Sequence, residues 1–313
     1  MFHSIAITSK HQIYIWGYND YGQLGRPING ETNWIPTQIT SFLGKNRIID
    51  IGCGNYFSMA LTNDGLLYSW GINGNGELGI GYTGSTTQLG PQRIVGMSKV
   101  RKFCCGGYHS LALTEEGELY GWGYNVYGQL GIERQNAIPR PTKINHPFPS
   151  KIEQISCGCF HSMVLLSDGS LYTWGQNEYG QGGIANNTSS SKAIPKKVNG
   201  IPGRIIQIKC GKFHSMVITD NDDLYCWGNN LKGELGDKTF LSKSKPQKMT
   251  YLEGIKKRFI MIDLFYDWPQ THNLLPKKIQ QLLEEILIIL KAYISKDVTF
   301  YFLTIFFQIY QYK

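Results

Sequence analysis

Histidines 109, 161 and 214, with His3 upstream, recur one repeat apart, and imidazoles at matched places are a known way to hold a metal. Phe57 stands at the matching place in the second copy, however, and units arranged about an axis spread equivalent atoms apart instead of gathering them as ligands. The expected role is structural, a histidine hydrogen-bonded within each unit, because a buried polar group needs a partner. Asp64, Glu116, Asp168 and Asp222 form a second series, but they sit in turn dipeptides such as Asp64-Gly65, where acids serve local backbone bonds instead of acid–base chemistry. Seven cysteines include no CxxC pair and leave an odd count, which argues against structural zinc and against a disulfide framework. Their recurrence before glycine marks them as small buried side chains. The sequence has no serine elbow, phosphate-binding loop or HExxH string, so it offers no catalytic residue, cofactor site or metal site, and the expectation is a protein that is not an enzyme.

Charge is the remaining chemical signal. The formal net charge is +8, from 31 basic and 23 acidic residues, which allows acidic partners without naming one. Between Glu178 and Asp220, Lys192, Lys196, Lys197, Arg204, Lys209 and Lys212 occur with no acid among them. A second run follows at Lys238, Lys243, Lys245 and Lys248. On adjacent units these would make a basic rim suited to an acidic protein surface or a phosphate backbone; the plain alternative is a solvated face. Lys232 stands where other copies have Tyr21, Asn75, Tyr127 and Tyr179. Lys192, Lys196, Lys197, Lys212 and Lys232 are therefore the candidate partner-binding residues.

These residues are positioned by a repeat. WGYNDYGQLG (16–25), WGINGNGELG (70–79), WGYNVYGQLG (122–131), WGQNEYGQGG (174–183) and WGNNLKGELG (227–236) place Trp16, Trp70, Trp122, Trp174 and Trp227 at steps of 54, 52, 52 and 53 residues. Ahead of them stand HSIAIT (3–8), CGNYFSMALT (53–62), CGGYHSLALT (105–114), CGCFHSMVLL (157–166) and CGKFHSMVIT (210–219). A turn dipeptide between the two strings predicts a hairpin, with one strand before it (RIIDIG, 47–52; RIIQIK, 204–209) and one after it (PQRIV, 91–95; PKKV, 195–198). Four short antiparallel strands per unit of about fifty residues describe a β-propeller blade, so the fold class is all-β. The tryptophan is expected to fill the gap between blades, the glycines to turn with positive φ, Asn230 to tolerate and hydrogen-bond such turns, and Leu235 to pin the loop.

The paired strings Cys-Gly-x-x-His-Ser and Trp-Gly-x-Asn-x-x-Gly-(Gln/Glu)-Leu-Gly resemble the repeats of the regulator of chromosome condensation family, over about residues 3–250. The resemblance implies a seven-bladed propeller, and a founding member that exchanges nucleotide on the GTPase Ran and binds chromatin. Five repeats instead of seven, and a start at a second strand, imply an incomplete or open ring. The even spacing leaves no room for the insertion with which the Ran exchange factor reaches its nucleotide site.

Residues 1–250 are thus read as propeller repeats and 251–313 as a degenerate repeat remnant with a tail. There Pro276–Ile294 has a helical pattern and Val298–Tyr310 a β-prone apolar run, and charges interrupt both before they reach a bilayer span. The tail is expected either to cover the flank of the open propeller or to be no selected part of the fold. With no secretory signal and reduced cysteines, the expected location is the cytoplasm or nucleus. The expected function is a non-catalytic protein-interaction propeller, with guanine-nucleotide exchange or regulation of a small GTPase as its specific form. The alternatives are a fragment of a HECT-type ubiquitin ligase and a chromatin-associated module; nucleic acid is a weaker partner and a membrane is not expected.

Overall fold

A computed structural model describes residues 3–8, 11–28, 33–39, 47–132, 136–185 and 194–250. The first sheet holds β1 (His3–Ile7), β2 (Ile13–Gly17) and β3 (Asn33–Gln38). The second holds β4 (Ile48–Cys53), β5 (Phe57–Thr62), β6 (Leu67–Asn73) and β7 (Gly84–Arg93), and the third β8 (Val100–Cys105), β9 (His109–Thr114), β10 (Leu119–Tyr124) and β11 (Ala137–Lys143). The fourth holds β12 (Ile152–Cys157), β13 (His161–Leu166), β14 (Leu171–Gly175) and β15 (Lys196–Val198), and the fifth β16 (Ile205–Cys210), β17 (His214–Thr219), β18 (Leu224–Gly228) and β19 (Lys243–Lys248). Every sheet is an antiparallel meander in chain order, and the first strands β4, β8, β12 and β16 lie side by side around an axis. These are propeller blades, four of them four-stranded, while the first has three described strands in which β1 is the second-strand equivalent. No described element is an α-helix, and among the described residues no helix is long and apolar enough to cross a membrane. The remnant and tail expected over 251–313 lie outside the described residues.

The apolar core is divided into wedges between blades. Ile13, Ile15 and Leu24 of blade one pack with Ile48, Ile51 and Trp70 of blade two. Met59, Leu61 and Leu78 pack with Val100, Ala112 and Trp122, and the pattern repeats around Trp174 and Trp227. Period-two alternation gives each sheet two half-apolar faces that no blade can bury alone, so adjacent blades must stack. Trp70, Trp122 and Trp227 are fully buried in these gaps, as their sequence position requires.

The outer strands show the opposite chemistry. Pro36, Pro91, Pro139, Pro141 and Pro246 lie in them, and Pro195 immediately precedes β15. A strand with prolines and charged side chains cannot recruit another sheet edge, which keeps the rim from aggregating. Lys196, Lys197, Lys243, Lys245 and Lys248 belong to these edges on adjacent blades. Two of them are neutralised: Lys243 Nζ lies 3.3 Å from Asp237 and Lys248 Nζ 3.0 Å from Asp223.

Candidate partner-binding face

In an antiparallel blade the loop between strands one and two and the loop between strands three and four emerge at the same end. The first loop is built on a glycine. A Cβ on Gly158 would lie 2.1 Å from Cε1 of His161, so the ring rests directly on the glycine backbone. Gly106 and Gly211 seat His109 and His214 in the same way, and Gly54 seats Phe57. This close approach is the physical content of Cys-Gly-x-x-His.

The histidines bond between blades, which corrects the expectation of a bond within each. His3 Nε2 meets Ser58 Oγ of the next blade at 2.6 Å, His109 meets Ser162 at 3.0 Å, and His161 meets Ser215 at 3.0 Å. The reason is register: the histidine opens the second strand at the gap, facing the serine of the following blade. Where Phe57 replaces histidine, Ser110 Oγ turns to Met59 Sδ at 3.4 Å. Burial holds the His3, His109 and His161 imidazoles down at about 3 and half-buried His214 at about 4, so all are neutral. Among the described residues no three His, Cys, Asp or Glu side chains assemble as a metal would need.

The second loop is a socket for the next blade's tryptophan. Trp122 Nε1 donates to the Glu77 carbonyl at 2.9 Å, Trp174 to Gln129 at 2.8 Å and Trp227 to Gln181 at 2.9 Å. Gly183, at φ 66°, leaves the space that Trp227 occupies: a Cβ there would lie 2.6 Å from its Nε1. The asparagine holds the loop from inside, with Asn125 Oδ1 accepting from Leu130 N at 3.0 Å and Asn230 Oδ1 from Leu235 N at 2.8 Å. Asn230 itself has no positive φ, so its role is hydrogen bonding and not conformational tolerance. The Gln or Glu folds back two residues: Tyr127 N donates to Gln129 Oε1 at 3.1 Å, and Lys232 N to Glu234 Oε2 at 2.8 Å.

Together the loops present an aromatic face. Tyr21 and Tyr56 meet edge-on at 4.9 Å, Tyr56 and Tyr108 lie 6.4 Å apart, and Tyr108 stacks on Phe160 at 5.7 Å. Tyr127 and Tyr124 flank Phe160 at 5.1 and 5.8 Å, Phe213 follows at 6.4 Å, and Tyr179 meets Phe213 at 5.7 Å. With Tyr18, nine half-buried rings form one unbroken band across all five blades. Its inner border is tied by backbone bonds from blade to blade: Asn55 N to Gly107 O, Gly107 N to Cys159 O and Cys159 N to Lys212 O, at 3.0, 3.2 and 2.9 Å. Burial pushes the Cys159 thiol up to about 11 despite nearby Lys212, so it is unreactive.

The structure divides the candidate lysines. Lys212 and Lys232 are exposed on the loops of this face, Lys212 Nζ lying 5.4 Å from the Phe213 ring centroid. Lys196 and Lys197 belong to the outer edge of blade four, and Lys192 lies outside the described residues. Asp64, Glu116, Asp168 and Asp222 occupy the hairpin turns at the opposite end; Asp168 Oδ1 accepts from Ser170 N at 2.9 Å, and Asp222 takes the left-handed conformation at φ 59°. Sequence reasoning missed the aromatic band, although its signal was present: an aromatic residue stands immediately before the His/Phe position in the strings at 53–62, 105–114, 157–166 and 210–219.

Five repeating blades that lock through Trp sockets and His–Ser pairs, with partner-ready loops at one end, define a β-propeller of the interaction type. The family described as RCC1-like domain matches residues 1–264, and the chain belongs to it. It is 35% identical over 236 residues to the ultraviolet-B receptor UVR8 of Arabidopsis thaliana, covering 75% of this chain and 52% of that protein. With human HERC6, a probable E3 ubiquitin-protein ligase, it shares 35% identity over 222 residues, 68% of this chain and 21% of that one. The chain therefore spans about half the length of the first relative and about a fifth of the second. Human WBSCR16 superposes with a TM-score of 0.72 at 26% identity, covering 80% of this chain and 65% of that one. Prp20p of Saccharomyces cerevisiae, with a TM-score of 0.55 at 21% identity over 79% of this chain and 74% of that one, shares the fold.

Proposed function

We propose that this propeller binds another protein through its aromatic end face, without catalysing covalent chemistry, and that the partner is a small GTPase whose nucleotide exchange it promotes. The observation that carries the reading is the unbroken band of nine half-buried rings on rigid loops. Aromatic side chains dominate binding hot spots because they offer large contact area at low entropic cost. The GTPase is suggested by Prp20p, studied for its binding to Gsp1p and histones, although that likeness supports the fold alone. On this reading the protein works in the cytosol or nucleus, where seven free thiols persist.

The test is release of fluorescent GDP from Ran- and Rab-type GTPases. Acceleration that disappears in a Tyr127→Ala, Phe160→Ala double variant is the expected result, and no acceleration across the panel removes the exchange reading. A second reading, a recognition propeller serving a ubiquitin ligase, is favoured by the 35% identity with HERC6. A HECT-coding sequence in frame with this one in the genome would decide for it.

A further inference from the structure

The rings of the end face gather in threes at particular gaps between blades. Where blade one meets blade two, Tyr18 and Tyr21 of the loop between β2 and β3 meet Tyr56 of the loop between β4 and β5. Their centroids lie 6.1, 6.3 and 4.9 Å apart, with planes inclined by 56° to 61°. The matching residues of blades three and four, Tyr124, Tyr127 and Phe160, repeat the trio at 6.2, 5.8 and 5.1 Å. In blade four, Gln176 takes the first place beside Tyr179 and Phe213, so one ring is missing.

An acid singles out the first trio. The residue after the loop asparagine is Asp20 in blade one, Gly74 in blade two, Val126 in blade three, Glu178 in blade four and Leu231 in blade five. Among the described blades, three rings and a carboxylate coincide in blade one alone: blade three has the rings without the acid, and blade four the acid without the third ring. The Tyr18 hydroxyl donates to the Asp20 carboxylate, which holds the phenol up at about 12 and fixes the acid beside the rings. A carboxylate has about four acceptor sites, so exposed Asp20 keeps capacity for the N–H groups of a ligand. Both loops are rigid beforehand. Asn19, buried between Tyr18 and Asp20, accepts from Leu24 N at 2.9 Å, Tyr21 N donates to Gln23 Oε1 at 3.0 Å, and the Tyr56 carbonyl accepts from Ile72 N at 3.0 Å.

A ring face attracts a cation within about 6 Å of its centroid, and a charge about 4 Å above this trio lies within that range of all three rings. Lys212, 5.4 Å from the Phe213 centroid, is the fold's own instance of a cation over a ring on this face. Three mutually inclined rings surround a compact ammonium better than a flat guanidinium, which stacks on a single face. We propose that Tyr18, Tyr21, Tyr56 and Asp20 form a cage for a lysine ammonium of the bound protein, the rings facing the charge and Asp20 accepting its N–H. The inference rests on the protein-binding reading above and names the chemistry of one anchor.

The probe is a Gly/Ser peptide with blocked ends and one central lysine, titrated against the full chain by ligand-observed NMR. Expected is saturable binding with Kd of the order of 1 mM, and none for the same peptide acetylated on its lysine. Asp20→Asn and Tyr21→Leu should each weaken binding about fivefold with an unchanged thermal midpoint, and Val126→Asp, which gives the blade-three trio its acid, should restore binding to Asp20→Asn. Equal binding of the acetylated peptide, indifference to Asp20→Asn, or no rescue by Val126→Asp would each overturn the proposal. So would tighter binding of choline than of the peptide, which would make a free quaternary cation the ligand, or peptide binding that appears only after deletion of 251–313, which would make the chain's own lysines the occupant. GTPase binding lost in Tyr127→Ala, Phe160→Ala yet unchanged in Asp20→Asn would keep the broader reading and sink this one. Lysine-peptide binding by a chain that binds none of the GTPases would keep the cage and remove the GTPase.

Discussion

At the residue scale, the repeat works through exchanges between neighbours. Gly158 and His161 are one device: the glycine exists so that the ring can lie flat and reach Ser215. His161→Phe removes one hydrogen bond and leaves Ser215 Oγ donating to the Gln181 carbonyl at 2.8 Å, so a loss of about 1 kcal/mol is expected. Gly158→Ala forces a methyl into the ring and should cost more, about 3 kcal/mol; urea melts rank the two. Phe57→His should be nearly neutral, because the ring it replaces already sits on Gly54 and Ser110 gains a partner. Three buried histidines also set an acid limit. Held near 3 when folded against 6.5 when free, they stay neutral in the native state while the unfolded chain takes up protons. Stability is full above pH 6.5 and falls as pH drops toward 3, by up to about 4 kcal/mol per pH unit for three sites. Thermal midpoints measured from pH 8 to 4 should show the fall, and because His214, held at about 4, adds a fourth site, His161→Phe should make it about one quarter shallower.

At the element scale, the loop between strands three and four is the joint of the molecule. It ends one blade, and its carbonyl and glycine receive the tryptophan of the next. Trp122→Phe keeps most of the plate but strands the Glu77 carbonyl, for a loss of about 2 kcal/mol, and Trp122→Ala should cost about 4. Asn125→Ala leaves the Leu130 amide buried without its partner, at about 1–3 kcal/mol. Denaturant midpoints in the full chain distinguish these. The outer strands tell the complementary story, because their prolines and lysines act against edge pairing. Lys196 and Lys197 stand on such an edge, a role that requires no ligand. Any nucleosome complex that a gel shift at fixed salt detects should accordingly be unchanged in Lys196→Glu, Lys197→Glu.

At the scale of the whole molecule, stability is a chain of neighbour interfaces and not one central core. The two ends of the series differ from its middle: Trp16 and His214 are half-buried, where Trp122 and His161 are fully covered. A cover supplied by residues 252–313 would bury them, so their deletion is expected to lower solubility and the thermal midpoint by several degrees; no change would remove that role from the tail. Much of this architecture was legible in the chain itself. A period of fifty-odd residues with turn dipeptides and Trp-Gly strings permits little except blades, because each string encodes a local strand or loop. The direction of the His–Ser bonds was not legible, since the same residues could pair within a blade or across a gap until the stagger of neighbouring sheets was known. Nor was the aromatic band, whose members stand in different strings and two different loops and meet only when blades stack around an axis. Local patterning by itself determined the blade, its core positions and its family. Only the tertiary structure decided which side chains of separate blades share a surface, because that depends on rotation about an axis that no single repeat contains.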